Sequence, residues 1–304
     1  MKKCTVIINP TSGKGLNDHL ASRIAKVLEN YNYDPNVIIT EYAGHAEKIV
    51  GDIKDGLVIS VGGDGTFYEV MNGNFKKEKP LVLSHIPVGT TNDIGHMYGL
   101  DKDIITNLKL ILDGVIKEVD ICSINNRSFV YVASFGKFME IPYETPQNLK
   151  HKIGYLAYLI SGAKSLFKKT PRYDITFTID GVKHRGKYTF LIISNANRVA
   201  GIKNFYSEMK LDDGKFEVML CSISSVFELA KAFYTLKTSD ISYVSGVEIY
   251  KTDNLKIKFN DEFKPWCLDG EKYDDLSKEY EIKVDKKVSM LIPVKNIDKL
   301  FNEK

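Results

Sequence analysis

At 304 residues, 43% hydrophobic and 27% charged, the chain has the composition of an ordinary globular protein and the length for two domains with separate cores. A net charge of only +3 argues against a dedicated nucleic-acid binder and permits weak attraction to an anionic membrane. Cys4, Cys122, Cys221 and Cys267 stand far apart with no C-x-x-C pair, so they read as reduced core residues of a cytosolic protein rather than disulfides or a zinc site. Met1-Lys2-Lys3 precedes an apolar run that stops at Asn9-Pro10, too short for a signal peptide. No window reaches the roughly eighteen apolar residues of a membrane span.

Residues 4–8 form a short apolar strand pattern, ended by the polar loop Asn9-Pro10-Thr11-Ser12-Gly13-Lys14-Gly15. Leu20, Ile24, Val27, Leu28 and Tyr31 then recur at helical spacing. A second strand at 37–40 and a second helix at 46–53 follow. The run from Leu57 is continuously apolar, as in a strand buried on both faces of a parallel sheet, and breaks into Gly62-Gly63-Asp64-Gly65-Thr66. Thr66 and Glu69 have the T-x-x-E spacing of a capping box, which predicts a helix start there with Phe67, Val70 and Met71 on its apolar side. Glycines permit positive φ and close backbone approach, and a helix start offers N–H groups to an anion, a combination suited to phosphate. A fourth strand at 81–86 leads to a second glycine-bearing loop, Pro87-Val88-Gly89-Thr90-Thr91-Asn92-Asp93, before Ile104, Leu108, Ile111 and Leu112 restore the helical period. Strand and helix in alternation predict a doubly wound parallel α/β domain. The loops beginning at Asn9, Gly62 and Gly89 all follow strands, which places them at the ligand-binding carboxyl edge of such a sheet.

Beyond Val119 the rhythm changes. Tyr173, Ile175, Phe177 and Ile179 alternate with polar residues up to a turn at Gly181. Further strand candidates lie at 188–194, 216–221, 247–250, 255–259, 280–284 and 289–292. Short strands between turn residues predict an antiparallel β-sandwich or barrel, interrupted by helical segments at 153–167 and 226–236. The expected domains are 1–125, an α/β domain, and 126–293, an all-β domain, with 294–304 packing back on the first.

Taken alone, each polar residue admits two readings. The Asn9 loop is not a Walker A loop, and the glycines around Asp64 do not match G-x-G-x-x-G. Lys14 suits a phosphate or a solvated surface; Thr40 suits a nucleotide hydrogen bond or a helix cap. Asp64, Asp93 and Asp120, at predicted strand ends or adjoining loops, suit a Mg²⁺ ion that bridges phosphate oxygens, or the capping of turns. Asp269-Gly270-Glu271 follows Phe263, Pro265, Trp266 and Leu268; it reads as a β-turn, or as carboxylates beside apolar surface with a raised pKa and a general-base role. Lys210-Leu211-Asp212-Asp213-Gly214-Lys215 is a hairpin turn or a structural divalent-cation site built from one carboxylate and backbone carbonyls. Residues 153–167 are apolar on both faces, with Lys150, Lys152, Lys164, Lys168 and Lys169 around them. They read as a buried helix or one that meets a bilayer.

In order along the chain, Asn9-Pro10…Gly13-Lys14, Gly-Gly-Asp-Gly-Thr at 62–66, Gly-Thr-Thr-Asn-Asp at 89–93, Leu211-Asp212-Asp213-Gly214 and Leu268-Asp269-Gly270-Glu271 resemble the diacylglycerol kinase catalytic family, in particular the soluble bacterial lipid kinases. The resemblance implies a phosphofructokinase-like α/β domain and a C-terminal β-sandwich with ATP held between them. It carries ATP contacts onto Asn9, Pro10, Thr11, Ser12, Gly13, Lys14, Thr40, Gly62, Gly63, Asp64, Gly65, Thr66, Phe67, Tyr68, Glu69, Thr90 and Asn92. It carries a Mg²⁺–water network onto Asp64, Asp93 and Asp120, and the proton acceptor onto Glu271 with Asp269 beside it. A structural Mg²⁺ is implied at Asp213 with the carbonyls of Lys210 and Lys215. His96 and Ser207-Glu208-Met209 depart from the family pattern. The implied activity is transfer of the γ-phosphate of ATP to a lipid hydroxyl, diacylglycerol first among acceptors, by a cytoplasmic protein that visits the inner membrane surface. A homodimer and no nucleic acid complete the expected partners. The alternatives are an NAD kinase of the same superfamily and a non-enzymatic nucleotide or lipid sensor.

Overall fold

The computed structural model describes residues 1–13, 18–136, 171–196, 198–199, 202–203, 206, 209–225, 227–228, 231–232, 234–235, 243–261, 265–275 and 277–302. Lys14, the helical segment expected at 153–167, Ser207, Glu208 and much of 226–236 lie outside them. The chain divides into two compact units, Met1–Ile121 with Lys286–Lys304, and Cys122–Asp285.

In the first unit the alternation read from the sequence is realised as β1 (Lys2–Ile8), α1 (Asp18–Asn30), β2 (Tyr33–Ile39), α2 (His45–Asp52), β3 (Leu57–Gly62), α3 (Asp64–Phe75), β4 (Val82–Pro87), α4 (Asp93–Met97) and α5 (Ile104–Leu112). The strands run β2-β1-β3-β4, every neighbouring pair parallel. Buried β-branched runs explain the central strands: Val6, Ile7, Ile8, Val58, Ile59 and Val61 are all 0–1% exposed, each contributing roughly 1.5–3 kcal/mol by leaving water. Helix α1 packs with α5 and α2 packs with α3, as doubly winding a parallel sheet requires. Ile24, Leu28, Leu108 and Ile111 turn inward at the spacing the sequence announced.

The second unit is antiparallel. After β5 (Val115–Ile124), β6 (Arg127–Phe129) and β7 (Val132–Gly136) come β8 (Tyr173–Ile179), β9 (Val182–Tyr188), β10 (Phe190–Ser194), β11 (Arg198–Val199), β12 (Ile202–Lys203), β13 (Phe216–Cys221), β14 (Val247–Thr252), β15 (Asn254–Phe259), β16 (Trp266–Leu268), β17 (Glu271–Tyr273) and β18 (Glu279–Ile292). One sheet has the order β14-β13-β10-β7-β16-β17, and β18, β15, β8 and β9 pair in a second. Aromatic rings from both fill the space between them: Phe135 and Trp266 from the first meet Tyr173, Phe259 and Tyr280 from the second, with Phe135 and Phe259 centroids 4.3 Å apart. The four cysteines are buried free thiols.

The sequence divides 280–292 into two strands, but the structure makes one strand of Glu279–Ile292. Asp285-Lys286-Lys287 is polar enough to read as a turn, yet it contains no glycine or proline to force one, and extended backbone continues through it. The first part of β18 pairs antiparallel with β15, and Met290 pairs in parallel with Leu83 of β4. A short α6 (Ile297–Leu300) follows within the first unit.

Candidate active site

In the first unit three loops meet at the carboxyl edge of the parallel strands. The Asn9 N–H donates to the Val61 carbonyl at 3.0 Å, and Asn9 Nδ2 donates to Thr66 Oγ1 at 3.0 Å. Asn9 Oδ1 accepts from Thr11 N and Thr11 Oγ1 at 3.0 and 2.8 Å, and Ser12 Oγ lies 3.4 Å from Thr66 Oγ1. The loop after β1 is thereby tied to the first turn of α3. The loops after β3 and β4 are tied to each other by Val88 N–H donating to Gly62 O at 2.8 Å. They also pass so closely that a Cβ on Gly89 would stand 2.7 Å from Gly63 Cα, inside any tolerable contact. Asn92, at φ 52°, closes the second loop: its Oδ1 accepts from Gly89 N at 2.7 Å and its Nδ2 donates to Gly89 O at 3.0 Å. What remains at the start of α3 is a surface of bare backbone, where helix N–H groups without intrahelical partners favour an anion.

The aspartates have distinct surroundings. Asp64 Oδ2 accepts from Asp93 N at 3.1 Å and Oδ1 from Ile94 N at 3.3 Å, so it holds the start of α4. Asp93 is 1% exposed. Asp120 is fully buried in β5 with Lys287 Nζ 3.0 Å from its Oδ1. Among the described residues no group of three or more His, Cys, Asp or Glu side chains is arranged to hold a metal ion directly. Of the other nucleotide-site candidates, Pro10, Thr11 and Thr90 are exposed, whereas Ser12, Gly13 and Gly65 are partly buried. Phe67 is a core residue, fully buried with its ring 5.0 Å from that of His85, and Tyr68 is buried beside it in α3. His96 is exposed in the last turn of α4.

Two local expectations are overturned. Thr66 and Glu69 do not form a capping box: α3 begins at Asp64 with Gly63 as its N-cap. Glu69 instead spans to the preceding helix, accepting from Gly44 N at 2.8 Å and Ala46 N at 3.2 Å at the start of α2. That helix opens on a left-handed glycine with no side chain to cap it, so its donors recruit a carboxylate from across the packed α2–α3 pair. Thr40 accordingly caps no helix; it is buried, and its N–H donates to Ile8 O at 2.8 Å, holding the end of β2 to β1.

In the second unit Asp269 and Gly270, both at positive φ, form the two-residue turn of the β16–β17 hairpin. The Asp269 carboxylate is 2% exposed and accepts three backbone N–H bonds, from Val130 at 2.6 Å, Tyr131 at 3.0 Å and Val132 at 2.9 Å. Its own N–H donates to Val132 O at 2.8 Å. Burial pushes its carboxyl up to about 6, against the pull of the three donors. Glu271, two residues on, is exposed at the start of β17. The two carboxylates thus differ: Asp269 is buried and anchors the turn, whereas Glu271 lies at the surface beside it.

At the acidic turn Asp213 Oδ1 accepts from Lys215 N at 3.0 Å, and its Oδ2 faces Lys251 Nζ at 2.7 Å. Lys210 is partly buried and Lys215 exposed. An ammonium already stands against the one carboxylate a structural Mg²⁺ would use, so these residues do not fit that ion. Sequence reasoning overlooked Lys251 and the 130–132 backbone donors. A lone Glu217 inside the apolar run Phe216–Cys221 was the available signal for the first; nothing in the residue types signalled the second.

The diacylglycerol kinase catalytic domain family matches residues 3–124. A diacylglycerol kinase of Bacillus subtilis (strain 168) is 30% identical over 277 residues, covering 89% of this chain and 90% of its own. One from Staphylococcus epidermidis is 34% identical over 232 residues, 75% of this chain and 73% of its own. Among solved structures, one from Bacillus anthracis str. Sterne aligns with a TM-score of 0.79 at 23% identity over 96% of each chain. The crystal structure of a diacylglycerol kinase from the same organism aligns at 0.73 and 20% identity, over 96% of this chain and 97% of that one. Parallel strands ending in paired glycine loops, a separate antiparallel unit with an anchored Asp-Gly-Glu hairpin, and this likeness over most of the chain lead to one conclusion: the chain belongs to the diacylglycerol kinase family and is a lipid kinase.

Proposed function

We propose that the enzyme transfers the γ-phosphate of ATP to the free hydroxyl of diacylglycerol. The observation that carries this reading is the close passage of Gly63 and Gly89 at the start of α3, which brings two glycine loops free of side chains together at a helix N-terminus suited to a polyphosphate. Asn9, Thr11, Ser12 and Thr66, joined in one hydrogen-bond cluster, would flank the nucleotide. Mg²⁺ would accompany ATP and neutralise its oxygens. With no three-carboxylate cage among the described residues, Asp64 and Asp93 would hold it through its water shell. Glu271 orients the lipid hydroxyl and accepts its proton, and Asp269 fixes the turn from which Glu271 projects. In a loose transition state this positioning is most of what the protein must supply.

A lipid acceptor requires contact with a bilayer, and among the described residues no helix is long and apolar enough to cross a membrane. We therefore infer transient association with the inner membrane surface. Purified protein with Mg²⁺, labelled ATP and a total lipid extract should yield labelled phosphatidic acid. Labelling of a different lipid would overturn the acceptor, and labelling of NAD alone would overturn the reading.

A further inference from the structure

We infer that the acidic turn at 210–215 is braced by the ammonium of Lys251 and takes no divalent cation. Glu217 of β13 and Lys251 of β14 are directly opposed in the antiparallel register, so their side chains share one face of the sheet. Lys251 Nζ lies 2.7 Å from Asp213 Oδ2 and 3.5 Å from Glu217 Oε1, between two carboxylates that the fold leaves little exposed (17% and 6%). The other Asp213 oxygen is engaged by the Lys215 N–H. A dication seated on Asp213 would share its carboxylate with that ammonium, and like charges so close repel each other. Mg²⁺ demands a near-octahedral oxygen shell, and the Asp213 oxygen it would take is already spanned by lysine. The brace has a clear physical task. The turn enters β13 through Gly214, at φ 72°, and two neighbouring carboxylates would otherwise repel there.

This inference is independent of the nucleotide and acceptor readings. Its test is thermal unfolding of the intact protein in EDTA and in MgCl₂, for wild type, Asp213→Asn and Lys251→Met. Wild type and Asp213→Asn should respond to Mg²⁺ alike, within about 1 °C, since any cation bound elsewhere cancels in the comparison. Lys251→Met should melt lower by about 3 °C or more, through loss of the cation between two carboxylates, and should respond to Mg²⁺ more than wild type does. A Mg²⁺ stabilisation present in wild type and absent in Asp213→Asn would overturn the inference. So would a Lys251→Met protein that melts like wild type in EDTA. If Lys251→Met does not fold, the wild-type and Asp213→Asn pair still decides between the two outcomes.

Discussion

Replacing Asp269 by alanine separates anchoring from chemistry. The carboxylate accepts three buried N–H groups, at 2.6, 3.0 and 2.9 Å. Orphaning buried donors costs about 2 kcal/mol each, or about 6 in all. Against this, burial raises the carboxyl from 3.8 to about 6. Held ionised at neutral pH, it costs the native state about 3 kcal/mol, which alanine returns. The net destabilisation is about 3 kcal/mol at pH 7. The pH dependence has a fixed sign. Because the folded pKa lies above the unfolded one, the proton's contribution is fully present below 3.8 and is lost as pH rises through about 6. Wild type therefore gains on the variant toward acid, and the gap should widen by about 1 kcal/mol at pH 5. Urea unfolding of both proteins at the two pH values measures it, and other titrating groups cancel in the difference. Exposed Glu271→Ala should stay within about 0.5 kcal/mol of wild type while losing phosphotransfer. An Asp269→Ala protein as stable as wild type, or a gap that narrows toward acid, would refute the division of labour between the two carboxylates.

Gly89→Ala should leave the fold intact but lower kcat/KM for ATP by about tenfold or more, since the new methyl group would press on Gly63 Cα; unchanged steady-state kinetics would remove the cradle from the site. His85, buried against Phe67 with Nδ1 2.8 Å from Ser60 Oγ, is pushed down to about 3 by burial. Its folded pKa lies below the unfolded 6.5, so stability is present above 6.5 and is lost as pH falls toward about 3. His85→Gln should therefore lose about 3 kcal/mol less than wild type between pH 7 and pH 4 in urea titrations. Equal acid sensitivity of the two proteins would exclude His85 as a cause.

The fold was legible in the sequence because hydrophobic period reports which face is buried. Ile24 and Leu28 of α1, the unbroken run of β3, and the alternation of Tyr173 through Ile179 all reached the predicted element. The glycine loops were legible because few residues tolerate such close backbone passage. What failed was what depends on partners distant in sequence. Thr66 and Glu69 have the local spacing of a cap, but Glu69 serves a helix more than twenty residues earlier, a choice fixed by packing. At Asp269 the sequence offered a turn or a carboxylate with a raised pKa as alternatives, and the structure shows the turn together with a carboxyl that burial pushes up. Its anchoring on 130–132 was hidden because backbone donors have no residue signature. Lys251 escaped for a similar reason: its partners lie across a strand register that one sequence does not reveal.

The single strand β18 has a consequence for how the chain acquires its structure. Its final residues supply a parallel neighbour to β4, and Ser84 Oγ donates to Leu291 O at 2.8 Å. The first unit is therefore discontinuous, whereas residues Cys122–Asp285 form an uninterrupted segment. During synthesis, the first hundred or so residues leave the ribosome with β4 still lacking this neighbour, and the missing strand arrives only after the entire second unit. Closing that parallel pair joins positions about two hundred residues apart, a slow, high-separation contact. The N-terminal unit, first to emerge, should be the last to become fully protected from hydrogen exchange, and the late-synthesised β18 the element that completes it.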